Sequence, residues 1–163
     1  MTDLEFNKCV DDYSDGVYRF IVKNIGHEAD AQDIVQTAFE KLWMNRSKVA
    51  PEKVKSYLFT IAYHQMIDHI RKDKKDVTTD NFDEANKQTS YQTNLELKQI
   101  LLRAINELNP TQKSLVLLKD YEGYSYVEIG AIMGLSESQV KVYLHRARLI
   151  LKGKLIHLEK MSA

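Results

Sequence analysis

The sequence predicts an all-α protein: two small helical domains joined by a flexible linker, the C-terminal one a helix-turn-helix. Three observations predict it. Apolar residues recur at intervals of three and four over most of the chain, the spacing that gathers them on one face of a helix. Only two prolines and six glycines interrupt 163 residues, so few positions break those helices. One stretch, residues 76–94 (DVTTDNFDEANKQTSYQTN), is polar with no apolar period, and it separates two periodic blocks. Hydrophobic residues make up 44% of the chain, enough for each block to bury a core. The expected domains are therefore 1–75 and 95–163, with 76–94 as an acidic polar linker.

In the first block, residues 3–24 carry Leu4, Phe6, Val10, Tyr13, Val17, Phe20 and Ile21 in a loose helical pattern, and Gly26 with His27 fits a break. Residues 30–43 (DAQDIVQTAFEKLW) place Ile34, Ala38 and Leu42, joined by Val35 and Phe39, on one stripe. Asp30 and Asp33 stand near the start of that helix, where its dipole favours anions. Residues 45–55 form a basic loop with Pro51. Residues 56–73 form a second strong helix through Phe59, Ala62, Tyr63, Met66, Ile67 and Ile70, ending in the cations that suit a helix C-terminus.

The second block opens with Leu97, Ile100, Leu101, Ala104, Ile105 and Leu108 on one face. Asn109 caps the next helix and Pro110 takes its first position; Leu115, Val116 and Leu118 follow, and the helix ends before Gly123. The strongest pattern is residues 125–152, SYVEIGAIMGLSESQVKVYLHRARLILK. Ser125 with Glu128, and Ser136 with Gln139, are spaced as capping boxes. Val127, Ile129, Ala131, Ile132 and Met133 supply the apolar side of the first short helix, Gly134 the positive-φ turn, and Leu135 the corner. Val140, Leu144, Ala147 and Leu151 then make a narrow inward stripe, leaving Ser138, Lys141, Val142, His145, Arg146, Arg148 and Lys152 outward. A helix, a tight turn and a second helix with a basic outer face describe a helix-turn-helix, whose second helix reads the DNA major groove.

Net charge is zero, but it is distributed in blocks: −5 over residues 1–43, +5 over 44–75, −4 over 76–96 and +4 over 97–163. Fields act over about 8–10 Å at physiological salt, so the basic blocks act locally on a polyanion whatever the total. No stretch approaches the roughly 20 apolar residues of a membrane span. The N-terminus, MTDLEFNKCVDDYSDG, lacks the cationic start and apolar run of a secretory signal, and a single cysteine, Cys9, makes no internal disulfide. A cytoplasmic protein without direct membrane insertion is expected. No H-E-x-x-H, G-x-x-x-x-G-K-[ST], G-x-G-x-x-G or G-x-S-x-G occurs. His64 and His69 lie off one helical face, and Asp11, Asp12 and Asp15 lack the later Gly and Glu of an EF-hand. Hence no catalytic residue, metal, cofactor or small-molecule substrate is expected.

Three blocks resemble one family. DAQDIVQTAFEKLW is similar to the polymerase-docking helix of bacterial RNA polymerase sigma factors. SYLFTIAYHQMIDHIRK is similar to their promoter-melting helix, and LNPTQKSLVLLKDYEGYSYVEIGAIMGLSESQVKVYLHRAR to their C-terminal helix-turn-helix domain. The blocks stand in order and cover nearly the whole chain, and a chain with only these two domains resembles the extracytoplasmic-function (ECF) group. The resemblance implies that the chain binds core RNA polymerase and promoter DNA and directs promoter-specific initiation. It implies docking on a coiled coil of the largest polymerase subunit through Asp33, Gln36, Thr37 and Glu40; relatives often carry an acid where Thr37 stands. It implies −10 contacts from Asn45, Arg46, Lys48, Lys55, Tyr57, Tyr63, His64, Arg71 and Lys72, with Tyr57 where many relatives have Trp and Tyr63-His64 where they have Arg-Asn. For the −35 element it implies Ser136, Glu137, Ser138, Gln139, Lys141 and His145 near the groove and Arg146 and Arg148 on phosphates. The two elements lie roughly 25 base pairs, or ~85 Å, apart at 3.4 Å per pair. A membrane-linked anti-sigma factor is a candidate partner. The alternative is a dimeric helix-turn-helix transcriptional regulator, which has no need of the block at 30–75; a third reading is a helical adaptor that never touches DNA.

Overall fold

The computed structural model describes residues 1–76 and 93–161, all helices and their connections, with no strand among them. Most of the expected linker, 77–92, lies outside the described residues.

Helices α1, α2, α5, α6 and α7 start where a side chain satisfies backbone N–H groups that have no partner inside the helix. In α1 (Asp3–Ile25) the Thr2 hydroxyl accepts from the Glu5 N–H at 3.2 Å while the Glu5 carboxylate accepts from the Thr2 N–H at 2.7 Å. In α2 (Glu28–Met44) an unusual cap does this: Nδ1 of His27 accepts from the Asp30 N–H at 3.2 Å. A 3-10 turn at Pro51–Lys53 leads into α3 (Val54–Asp76). These three helices close around Phe20, Ile21, Leu42, Leu58 and Met66, all fully buried.

The second module is α4 (Thr93–Asn106), α5 (Pro110–Val116), α6 (Tyr126–Met133) and α7 (Glu137–Met161). Asn109 caps α5 in a reciprocal box with Gln112, with Pro110 opening the helix as expected. The helix then widens into a π-helical turn, Leu117–Tyr121, before Gly123. Gly134 ends α6 at φ 71°, a conformation L side chains seldom adopt. Gly130 is needed for another reason: a Cβ there would sit 2.5 Å from the Leu135 carbonyl oxygen, so the tight corner admits only glycine. Val127, expected on the apolar side of this helix, is 64% exposed. On an eight-residue helix Ile129, Ile132 and Met133 already fill the buried stripe.

The two modules pack on each other, α6 lying along α3 and α5 touching α1. The Tyr124 ring, buried at the start of α6, meets Phe59 of α3 edge-on with centroids 5.0 Å apart. Burial pushes the Tyr124 hydroxyl far above the ordinary tyrosine value, and raises Tyr63 and Tyr121 as well. A raised pKa means the fold favours the neutral phenol. That contribution is complete below the ordinary value near 10.0 and is lost as pH rises through the raised values. Alkaline unfolding is therefore expected to be cooperative: near-ultraviolet titration should show these rings ionising together with loss of helical circular dichroism, not as ordinary exposed phenols.

Candidate nucleic-acid interface

On α2, Asp33, Gln36 and Glu40 are exposed and Thr37 is half-buried, all on the side away from Ile34, Ala38 and Leu42. Gln36 Nε2 donates to Glu40 Oε1 at 3.1 Å, and the Thr37 hydroxyl donates to the Asp33 carbonyl at 2.9 Å. The four residues expected to dock polymerase thus form one continuous polar stripe, with two carboxylates, beside the helix's buried edge.

The nine residues expected at the −10 element separate into three groups. The loop residues after α2 are partly committed locally. Asn45 Nδ2 donates to the Lys41 carbonyl at 2.9 Å, and Arg46 donates to the Trp43 carbonyl at 2.7 Å with its guanidinium 3.9 Å over the Trp43 ring. Lys48 is exposed. On α3, Tyr57, His64 and Arg71 recur every seven residues and share one outward face, with Lys72 exposed beside them. The Tyr57 hydroxyl reaches the Lys41 carbonyl at 3.5 Å. Lys55 and Tyr63 lie on the other side of α3, against the C-terminal module. Tyr63 is 8% exposed, and the Lys55 ammonium stands 4.4 Å over the Tyr124 ring.

On α7, Val140, Leu144, Ala147 and Leu151 are buried as the pattern required. Ser136 and Gln139 cap the helix reciprocally, Gln139 N–H to Ser136 Oγ at 3.1 Å and Ser136 N–H to Gln139 Oε1 at 2.9 Å. Both side chains thereby hold the N-terminus that a groove-reading helix presents. Glu137 pairs with Lys141 at 3.4 Å. Ser138, His145 and Arg146 are exposed, and so is Val142, an apolar contact of the kind a thymine methyl accepts. Arg148 is exposed but held by Asp120 through two hydrogen bonds of 2.6 and 3.3 Å, which brace α7 against the π-helical turn. Lys119 and Lys141 both stand over Tyr126, at 4.5 and 5.4 Å. Asp120 braces α7 through Arg148, and Lys119 shares the Tyr126 ring with Lys141 of α7, contacts that were not expected. Only proximity in the fold reveals the Asp120–Arg148 contact, since the two are 28 residues apart.

Among the described residues no group of His, Cys, Asp and Glu is arranged to hold a metal ion, and no helix is long and apolar enough to cross a membrane.

Two family models match the chain, Sigma-70 region 2 over residues 9–76 and Sigma-70, region 4 over residues 98–151. The ECF RNA polymerase sigma factor SigM of Bacillus subtilis is 31% identical over 147 residues, spanning 86% of this chain and 89% of that protein. RNA polymerase sigma factor SigV of the same organism is 30% identical over 153 residues, spanning 90% and 89%. Among solved structures, the sigma factor RpoE of Bartonella quintana, in complex with the anti-sigma factor NepR, shares the fold with a TM-score of 0.73 at 23% identity, over 92% of this chain and 96% of that one.

Proposed function

The chain belongs to the ECF RNA polymerase sigma factors, and from that membership we propose how its parts divide the work. As a sigma factor it binds core RNA polymerase and promoter DNA and directs promoter-specific transcription initiation. Residues 1–75 dock on polymerase and recognise and melt the −10 element; 76–94 connect the modules; 95–163 read the −35 element. Asp33, Gln36, Thr37 and Glu40 face the coiled coil of the largest polymerase subunit. Lys48, Tyr57, His64, Arg71 and Lys72, with Asn45 and Arg46 from the loop and Lys55 and Tyr63 on the inner side, serve the −10 strand. Cations there neutralise phosphates, and rings and amides hold splayed bases. Ser136, Glu137, Ser138, Gln139, Lys141 and His145 approach the −35 groove, with Arg146 and Arg148 at phosphates.

The observation that carries this division is the same arrangement on α2 and α7: a filled apolar stripe on one side and a mainly polar face on the other, broken on α7 by the exposed Val142, Leu149 and Ile150. On α2 that face is acidic, suited to a protein partner; on α7 it is basic, suited to DNA. The chain itself catalyses nothing in this reading, since the polymerase supplies the chemistry, and it works in the cytoplasm, where that enzyme is. An anti-sigma factor is a candidate regulator, because the RpoE that shares this fold was solved bound to one. A dimeric regulator is not favoured, since residues 9–76 match a region such a protein does not need.

The test is association at low salt with no inhibitor present. The purified chain is expected to co-elute with core polymerase in a one-to-one complex; failure to associate contradicts the reading. Without polymerase, DNA binding is expected to be weak and steeply salt-dependent, because it rests mainly on phosphate contacts. Nanomolar sequence-specific gel shifts by the chain alone would contradict this.

A further inference from the structure

We propose that Asp120 is a specificity-determining residue for the −35 contact: it touches no DNA itself, and it fixes Arg148 so that this arginine meets phosphate in one register of α7 and no other. The proposal rests on α7 reading the −35 element.

Lys141 and Arg148 share one flank of α7, since seven residues fall only about 20° short of two full turns. That flank faces the π-helical turn and α6. Lys141 lies 5.4 Å from the Tyr126 ring, and Arg148 meets Asp120. The turn that carries Asp120 is firmly seated. Leu117 and Leu118 are buried, and their carbonyls accept from the Glu122 and Tyr124 N–H groups at 2.9 and 3.0 Å. Lys119, next to Asp120, donates to the Tyr124 carbonyl at 3.1 Å. A π-helical turn holds one residue more than an α-turn, and one residue is about 100° of rotation around the axis. The widened turn therefore sets where the carboxylate points.

What the pair does follows from its chemistry. Arg148 Nη2 donates to Asp120 Oδ1 at 2.6 Å, and Nε donates to Oδ2 at 3.3 Å. These bonds use two of the five N–H donors of a rigid planar fork and leave three for another anion. Both side chains stay open to water, at 44% and 41% exposure, and exposed ion pairs add little to stability. A carboxylate beside a DNA-binding surface also repels phosphate. The pair is thus poorly suited to tightening the fold or DNA binding in general, and well suited to discrimination. An arginine free to swing adds the same affinity on any sequence, because phosphates recur along every duplex. One whose fork is held reaches a phosphate only when α7 sits at one depth and angle, and the base edges met in that register decide whether the contact is kept. Arg146, exposed on the opposite flank, supplies the sequence-independent attraction.

The experiment removes the charge of Asp120 at nearly constant shape. Run-off transcription with core polymerase is read on a recognised promoter and on the same promoter with its −35 element scrambled. With Asp120→Asn the ratio of the two is expected to fall at least about fivefold, as Arg148 loses its register. In anisotropy titrations the free variant is expected to bind a random duplex at least about twofold more tightly, with a salt slope steeper by about 0.9, the share of one phosphate. Asp120→Glu, which restores a carboxylate, is expected to keep the ratio within about twofold of the parent. Should Asp120→Asn disturb folding, Arg148→Lys is the second arm. It keeps the cation and loses the fork, so the ratio is expected to fall as far while the salt slope stays at the parent's value. A brace that only holds structure predicts a lower melting temperature and equal losses on both templates. That result, or an unchanged ratio in either variant, overturns the proposal. A parent chain that transcribes the two templates alike overturns instead the assignment of α7 to the −35 element, which the parent alone reads.

Discussion

Reversing the charge of the α2 face, Asp33→Arg with Glu40→Arg, is expected to weaken the complex with core polymerase by at least about a hundredfold while leaving the fold intact. Both side chains are exposed on the side opposite Ile34, Ala38 and Leu42, so neither contributes to packing. Exposed substitutions away from special features change stability by about 0.5 kcal/mol or less. At an interface the same change replaces two attractions with two repulsions. Losing one partner of a desolvated charge pair costs about 2–5 kcal/mol, and each ~1.4 kcal/mol is tenfold in affinity. Gln36 also loses the carboxylate it now donates to at 3.1 Å. Thermal melting should be unchanged within a degree or two, while fluorescence titration with core polymerase shows the loss. A double variant that binds like the parent would place the docking surface elsewhere.

The largest stability effect is expected from Leu144→Ala. Leu144 is the centre of the stripe that fastens α7, 1% exposed between Val140 and Ala147. Truncating a buried leucine removes its transfer free energy and leaves a cavity, together about 2–5 kcal/mol. For a body of this size each kcal/mol moves the melting temperature by about 2–4 °C, so a fall of roughly 6–15 °C is expected. Because α7 also carries the residues assigned to the −35 element, transcription from a promoter that depends on that element should fall before the protein unfolds globally. Calorimetry and run-off transcription at graded temperature check the two parts separately. A melting temperature within 2 °C of the parent would contradict the packing described for α7.

The helices and caps were legible because they are local. Ser125 with Glu128, Ser136 with Gln139, and Asn109 with Pro110 act within four residues, and each cap forms where its spacing placed it. The stripe Val140, Leu144, Ala147, Leu151 was legible for the same reason. The His27 cap was not, since histidine seldom plays that part. Nor was the exposure of Val127, because periodicity on eight residues does not say how wide a face the neighbours cover. Contacts between modules left no periodic trace at all. Nothing near Arg19 in sequence points to Glu122, and Tyr63 fits a base-stacking ring as well as it fits a buried one. The inner and outer faces of α3 became distinguishable only once α6 was seen against it. The brace between Asp120 and Arg148 is likewise invisible locally, and it turns an arginine expected at phosphate into one that also sets the angle of its own helix.

The most direct test of the account is run-off transcription on a library of bacterial promoter fragments, with core polymerase alone and with the chain added. The account predicts new transcripts with defined 5′ ends only when the chain is present, each preceded by two conserved elements at fixed spacing. If the chain binds core polymerase yet no template gains a defined start, it does not confer promoter recognition and the account is contradicted.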